Sequence, residues 1–370
     1  MTITESISIE DQIKQLAKDE GAVLVGICAA DSIKDKVYSD PTYLLPEAQS
    51  VISIAVNYSN DAVKKYISKE ERDSLNIEEG KHTKKLKAIG EKIKNFLEEK
   101  GNKAVNCDIN LDYRNNDINK SAFDAIQRMV SLINKEKDGN YQLIRKEEKT
   151  LERLKKMILT GVRRTSFHYV PEFSHKCGAE AAGLGRIGWS GNLITEKYGA
   201  RVTLNSIITD AKLIPDKPLE KNPCVQCKIC EKTCQGGLFS RDDSQTITIA
   251  GIEETIGKRS SEAYCVAICS GMKSQNRFKE WSTWSPFGAV ALPLEDSIVD
   301  FVRNLLAEAF MKGGDEAENM LKFIRYNYLG LHNKPLDQYL LSCSLCQLVC
   351  GPTMEDRKES YQLLVNAGCI

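Results

Sequence analysis

The sequence predicts a mixed α/β layer domain followed by a cysteine-rich second domain. Three observations carry this. Helix and strand patterns alternate over the first 110 residues, and a strand pattern returns at 201–210 after a charged, helix-favouring stretch. Seven of the cysteines then fall into two short groups, at 224–234 and 343–350. A chain of 370 residues with 42% apolar side chains is long enough for two or three domains and reads as an ordinary globular protein.

SIEDQIKQLAKDEG opens the first element, with Ser8 as cap, Asp11 three residues on and Ile13, Leu16 and Ala17 on one face. Gly21 ends that helix, and AVLVGIC and VISIAVNY read as buried strands. KHTKKLKAIGEKIKNFLEEKG is amphipathic, turning Leu86, Ile89, Ile93 and Leu97 inward, and NKAVNCDI is a third strand. Helix–strand alternation of this kind belongs to α/β or α+β layer folds. Residues 1–215 form the expected first domain, with a helical insertion at about 111–165; residues 216–354 form the second, with another at about 275–338; residues 355–370 remain as a C-terminal tail.

Fifty-one basic residues balance fifty-one acidic ones, so no global charge draws the chain to nucleic acid. The opening MTITESISIEDQ has no basic n-region, and no apolar run approaches the length of a membrane span. The expected address is the cytoplasm, away from the membrane. Thirteen cysteines in a reducing compartment then call for metal or redox chemistry.

CVQCKICEKTC has the C-x2-C-x2-C-x3-C spacing of a bacterial ferredoxin, in which three thiolates serve one cluster and the fourth serves its neighbour. CSLCQLVC offers only three more. Exchange between the motifs gives one 4Fe–4S cluster to Cys224, Cys227, Cys230 and Cys350. The other takes Cys234, Cys343 and Cys346 and needs one more thiolate, from Cys265 or Cys269 in AYCVAIC; Cys265 is preferred. The competing zinc reading is weaker, because zinc knuckles pair two C-x2-C units and need four thiolates in all. The proline that usually follows such motifs is replaced by Gln235 after Cys234 and delayed to Pro352 after Cys350. Cys28, Cys107, Cys177 and Cys369 are scattered and read as small buried side chains.

AGLGRIGWSGN contains a literal G-x-G-x-x-G, but HKCGAEA before it reads as a helix end. Without a preceding strand the dinucleotide reading loses its physical basis.

The order of these motifs resembles that of the epoxyqueuosine reductases and the more distant reductive dehalogenases: helix–strand, LPEAQSVISIAVNY, AGLGRIGWSGN, YGARVTLNSIITD, then the ferredoxin cysteines. The resemblance covers about 8–110 and 168–235 plus the cysteines to 350. It implies a corrinoid-binding domain related to the nitroreductase fold, fused to a two-cluster ferredoxin-like module. It also implies cobalamin, two 4Fe–4S clusters, anaerobic reductive chemistry and a low-potential donor such as ferredoxin or flavodoxin. Gly183, Leu184, Gly185, Gly188, Asn192 and Tyr198 become corrinoid-loop residues. Tyr169 and Asp108 rank first as proton donors, with Glu172 and His175 behind; each also has a plain structural reading. Both insertions fall outside the resemblance, and the neutral charge and short C-terminal segment favour a small-molecule substrate over tRNA. Oligomers are compatible with the sequence. Two alternatives remain beside the cobalamin-dependent reductase: an electron-transfer protein or activator of a separate corrinoid protein, and a cobalamin-free reductase on the same scaffold.

Overall fold

The computed structural model describes residues 7–71, 73–109, 149, 171–260, 265 and 344–370. The two helical insertions expected at about 111–165 and 275–338 lie outside these, apart from the single residue 149. Helix α1 (Ile9–Asp19) begins where Ser8 Oγ accepts from the Asp11 amide at 3.0 Å. Strand β1 (Leu24–Ala29) follows, then β2 (Ser50–Asn57), helix α2 (Asn60–Ile67), the long helix α3 (Asp73–Glu99) and β3 (Ala104–Asn106). Beyond the first insertion come α4 (His175–Ala181), short strands β4 (Arg186–Ile187) and β5 (Leu193–Ile194), and β6 (Val202–Thr209).

The central sheet runs β1-β2-β6-β3, and every neighbouring pair is antiparallel. That decides for α+β over a parallel α/β sheet. Both faces are covered, which explains why VISIAV is an unbroken apolar run. Ile52, Ile54 and Val56 join Ile13 and Ala17 of α1 and Leu86, Ile89, Ile93 and Leu97 of α3 in one core. Val51 and Ala55 point the other way, into a core with Cys28, Cys107, Cys177, Ala179 and Leu184. Each of the four α3 side chains is at most 1% exposed, and burying one contributes about 2 kcal/mol.

The proline-bearing segment after β6 returns along β1. Asp216 donates its amide to Ile27 O at 2.8 Å and accepts from the Ile27 amide at 2.9 Å. Helix α5 (Ile229–Lys232) then leads into a hairpin, β7 (Phe239–Ile249) and β8 (Ile252–Arg259). The hairpin turns on Ala250 and Gly251, at φ +50° and +76°, the left-handed pair that a tight two-residue turn requires. Arg186 fastens it to the first half, lying between the buried carboxylates of Glu180 and Glu254. Burial and the neighbouring Glu254 push Glu180 up to about 8.

The last elements are α6 (Leu345–Leu348) and α7 (Met354–Asn366). The segment expected as a tail is therefore a helix, capped by Thr353 and packed on α2 with a Lys64–Glu359 ion pair at 2.8 Å. Among the described residues no helix is long and apolar enough to cross a membrane.

Arg201, 1% exposed, joins these parts. It donates to Leu348 O at 2.7 Å, Asn60 Oδ1 at 2.8 Å, Asp356 at 3.2 Å and Ser360 Oγ at 2.7 Å. Removing it strands a half of a buried ion pair. Arg201→Met is expected to lower stability by about 3 kcal/mol in anaerobic denaturant unfolding, with Asp356→Asn costing less because that side chain is partly hydrated.

Candidate metal centre

The two cysteine motifs fold alike. Lys228 follows Cys227 in a left-handed conformation at φ +56° and starts the single turn of α5, which carries Cys230. Ser344 follows Cys343 at φ +38° and starts the single turn of α6, which carries Cys346. Left-handed residues turn the chain sharply at the start of each of these short helices. In this correspondence Cys234 matches Cys350, and the second motif lacks a counterpart of Cys224.

Cys224, Cys227, Cys230 and Cys350 line one pocket with Trp189, Ile194, Val349 and Arg357. Burial pushes the Cys230 thiol up, and neighbouring Cys346, Cys350, Cys224 and Cys227 push it further. Cys350 is pushed up to about 11 by burial, against the pull of Arg357. Cys234 is raised by burial and by Cys346 and Cys265. Cys346 is raised by burial and by Cys265, while Arg259 and Lys176 act against both. By mutual electrostatic influence the thiols sort into a 224/227/230/350 set and a 234/265/346 set, with Cys346 also raising Cys230. Cys343 and Cys269 lie outside the described residues. Among the described residues no disulfide forms, and no three His, Cys, Asp or Glu side chains converge as one ion would require.

Backbone amides and side-chain amides from several segments build the walls. The Trp189 amide donates to Cys224 Sγ at 3.3 Å, and Asn222 Oδ1 holds the Cys224 amide at 2.8 Å. Asn192 Nδ2 reaches Cys346 Sγ at 3.6 Å. The Leu238 amide donates to Cys234 Sγ at 3.4 Å. Ala200 donates to Cys350 O at 2.8 Å, and Gln347 Nε2 donates to the carbonyls of Ala200 and Val202 at 3.1 Å.

The glycine loop follows helix α4 rather than a strand, as its sequence indicated. Its open sides are filled by the protein itself. A Cβ on Gly183, at φ +76°, would lie 2.5 Å from Lys217 O, and one on Gly185 would lie 2.5 Å from Ile194 O. One on Gly188 would meet Ile194 Cγ1 at 2.6 Å and Cys224 Sγ at 2.9 Å. Leu184 is buried in the core against Gly26, and Tyr198 packs beside that core over the 195–199 turn. Close backbone approach accounts for the glycines without a ligand.

Of the proposed proton donors, Tyr169 lies outside the described residues. The other three come together at the end of β3 and the start of α4. His175 Nε2 donates to Asp108 O at 3.1 Å, so its Nδ1 accepts from Ser206 Oγ at 3.0 Å. Burial lowers the His175 pKa, and both nitrogens are occupied, so the ring clips Asp108 to the sheet instead of offering a proton. The Asp108 carboxylate is exposed and 3.6 Å from Lys87 Nζ. Glu172 is half-buried and near enough to Cys107 to raise that thiol.

No family model matches the chain. Curated relatives fall into one class, reductases, of two particular kinds. A tetrachloroethene reductive dehalogenase of Desulfitobacterium hafniense is 39% identical over 67 residues, 17% of this chain and 12% of the dehalogenase. An epoxyqueuosine reductase of Synechocystis sp. is 41% identical over 59 residues, 16% of this chain and 20% of that protein. The matched stretch thus spans a fifth or less of these relatives' length, and over it the chain is related to both kinds. Similar solved structures include an epoxyqueuosine reductase with an epoxyqueuosine-modified tRNA stem loop, at 14% identity and TM-score 0.39 over 96% of this chain and 98% of that one. A reductive dehalogenase described through B12-dependent dehalogenation gives 15% identity and TM-score 0.43 over 89% and 38%.

Two outcomes follow from this geometry. Gly188→Ala is expected to push Cys224 out of place, cost about 1–3 kcal/mol and lower the iron bound per chain by roughly half, read by iron assay and thermal unfolding. His175 is held neutral in the fold below its usual 6.5, so the unfolded chain binds the proton first as pH falls. Stability should therefore drop as pH falls from about 6.5 towards the lowered folded value. His82, lowered to about 4 by burial and Lys85, adds to the same slope. In His175→Gln, denaturant midpoints measured across this window should decline less steeply.

Proposed function

We propose that the chain is an iron–sulfur oxidoreductase that passes single electrons through two 4Fe–4S clusters. One observation carries this reading: four thiols from motifs about 120 residues apart in sequence line one pocket. The seven thiols of the two motifs exceed the four that one zinc ion takes, which supports clusters over a single zinc ion. Cys224, Cys227, Cys230 and Cys350 would hold the first cluster. Cys234, Cys265, Cys343 and Cys346 would hold the second; Cys265 takes the place left open by the missing counterpart of Cys224. Clusters here supply one-electron reduction when bound. The chain's part is to exclude water, hold the thiolates among backbone amides and keep the two sets adjacent.

The reductase names of the sequence relatives support the reaction class, and with it cobalamin as the group the electrons reach. Gly183, Gly185 and Gly188 of the glycine loop already pack against the chain's own atoms. Asp108 and Glu172 would supply the proton beside α4, with His175 holding the Asp108 carbonyl. A low-potential carrier would supply the electrons. The preference for a small-molecule substrate over tRNA has no support among the described residues, and an epoxyqueuosine-tRNA stem loop and tetrachloroethene are the two probes to compare.

Protein prepared anaerobically, with and without cobalamin, is expected to hold about eight irons and one cobalt per chain. About eight irons with no cobalt after reconstitution would replace the cobalamin reading with electron transfer or a cobalamin-free reductase. Cys265→Ser should lose about four irons while Cys269→Ser keeps them. Equal iron in both variants would overturn the ligand scheme.

A further inference from the structure

Asn192 and Lys176 form a small device on the wall of the second thiol set. Lys176, on α4, donates from Nζ to Gly191 O and to Asn192 Oδ1, each at 3.0 Å. An ammonium has only donors, so the oxygen of the Asn192 amide must face it. That choice turns Nδ2 away from the lysine, and it lies 3.6 Å from Cys346 Sγ, a hydrogen-bond distance for a sulfur acceptor. The lysine thus fixes which end of the amide meets the sulfur. Gly191, at φ +71°, makes the turn that offers its carbonyl to the same ammonium. Both residues precede the cysteine motifs in the chain.

We propose that Lys176 and Asn192 are positioning residues that raise the reduction potential of the cluster ligated by Cys346. An N–H donated to a ligand sulfur withdraws electron density from the thiolate, and a nearby cation favours the more negative reduced state. Both effects make that cluster easier to reduce. The role goes beyond the proposed function but rests on its ligand set. It also gives Asn192 a partner in the protein where a corrinoid contact was expected.

The test is an anaerobic redox titration of the iron-loaded full chain, followed by electron paramagnetic resonance. Asn192→Leu should make the midpoint of one cluster more negative and leave the other unchanged, with iron content as in the parent. Lys176→Met should shift the same cluster in the same direction and by more, because it removes the charge and frees the amide. Lys176→Arg should restore most of the parent value. An unchanged midpoint in iron-replete Asn192→Leu overturns the proposal. Loss of about four irons in that variant also overturns it, since Asn192 would then be scaffold. A parent chain that never binds about eight irons would instead fail the ligand reading itself, and the iron assay separates the two failures.

Discussion

The buried guanidinium of Arg201 is the constraint on which the arrangement depends. Water cannot reach it, so its donors must be satisfied within the protein, and an unpaired buried charge is strongly destabilising. Its partners come from three places: Asn60 at the start of α2, Leu348 in the second cysteine motif, and Asp356 and Ser360 on α7. They can all be met only when the motif and the terminal helix are docked against the sheet. The adjoining turn leaves no slack. A Cβ on Gly199 would lie 2.2 Å from Cys350 O. A polar requirement at one residue therefore holds a candidate cluster ligand at a fixed height above β6.

Burial of this kind decides which elements are legible in the sequence. The sheet was legible because its strands are buried on both faces and read as apolar runs; α3 was legible from its 3.6-residue stripe. Helix α7 was not, because the side chains it buries are Arg357, Ser360 and Leu364, a mostly polar face that no hydrophobic pattern marks. The β7–β8 hairpin carries a fainter signal: the alternation of Thr246, Ile247, Thr248 and Ile249 before a glycine turn. The glycine run was the reverse case. Its spacing suggests a ligand loop, yet Gly183, Gly185 and Gly188 are small because backbone atoms and Cys224 stand where their side chains would be.

Cysteines divide by environment in a way that spacing alone anticipates. Cys28 and Cys177, pushed up to about 12 and about 11 by burial, sit in the apolar core on the α4 face of the sheet as protonated thiols. The motif cysteines are also buried in part, but they face one another, so ionising several at once without a cation would be unfavourable. Iron reverses that balance, because metal charge favours the thiolate form that mutual repulsion opposes. A packed group of thiols with amides aimed at the sulfurs makes chemical sense as a site for a cation-rich cluster and little sense as a dry core.

Helix α4 draws these threads into one place. Its first residue, His175, clips the carbonyl of Asp108 and the hydroxyl of Ser206, while its second, Lys176, reaches the amide that faces Cys346. Gly178 lets the helix lie close on the sheet, with space for a Cβ only 3.1 Å from Ser53 Oγ. A short helix pressed this tightly cannot shift one end without the other. The carboxyl candidate at the end of β3 and the sulfur of the second motif are therefore kept in register by the same rigid element.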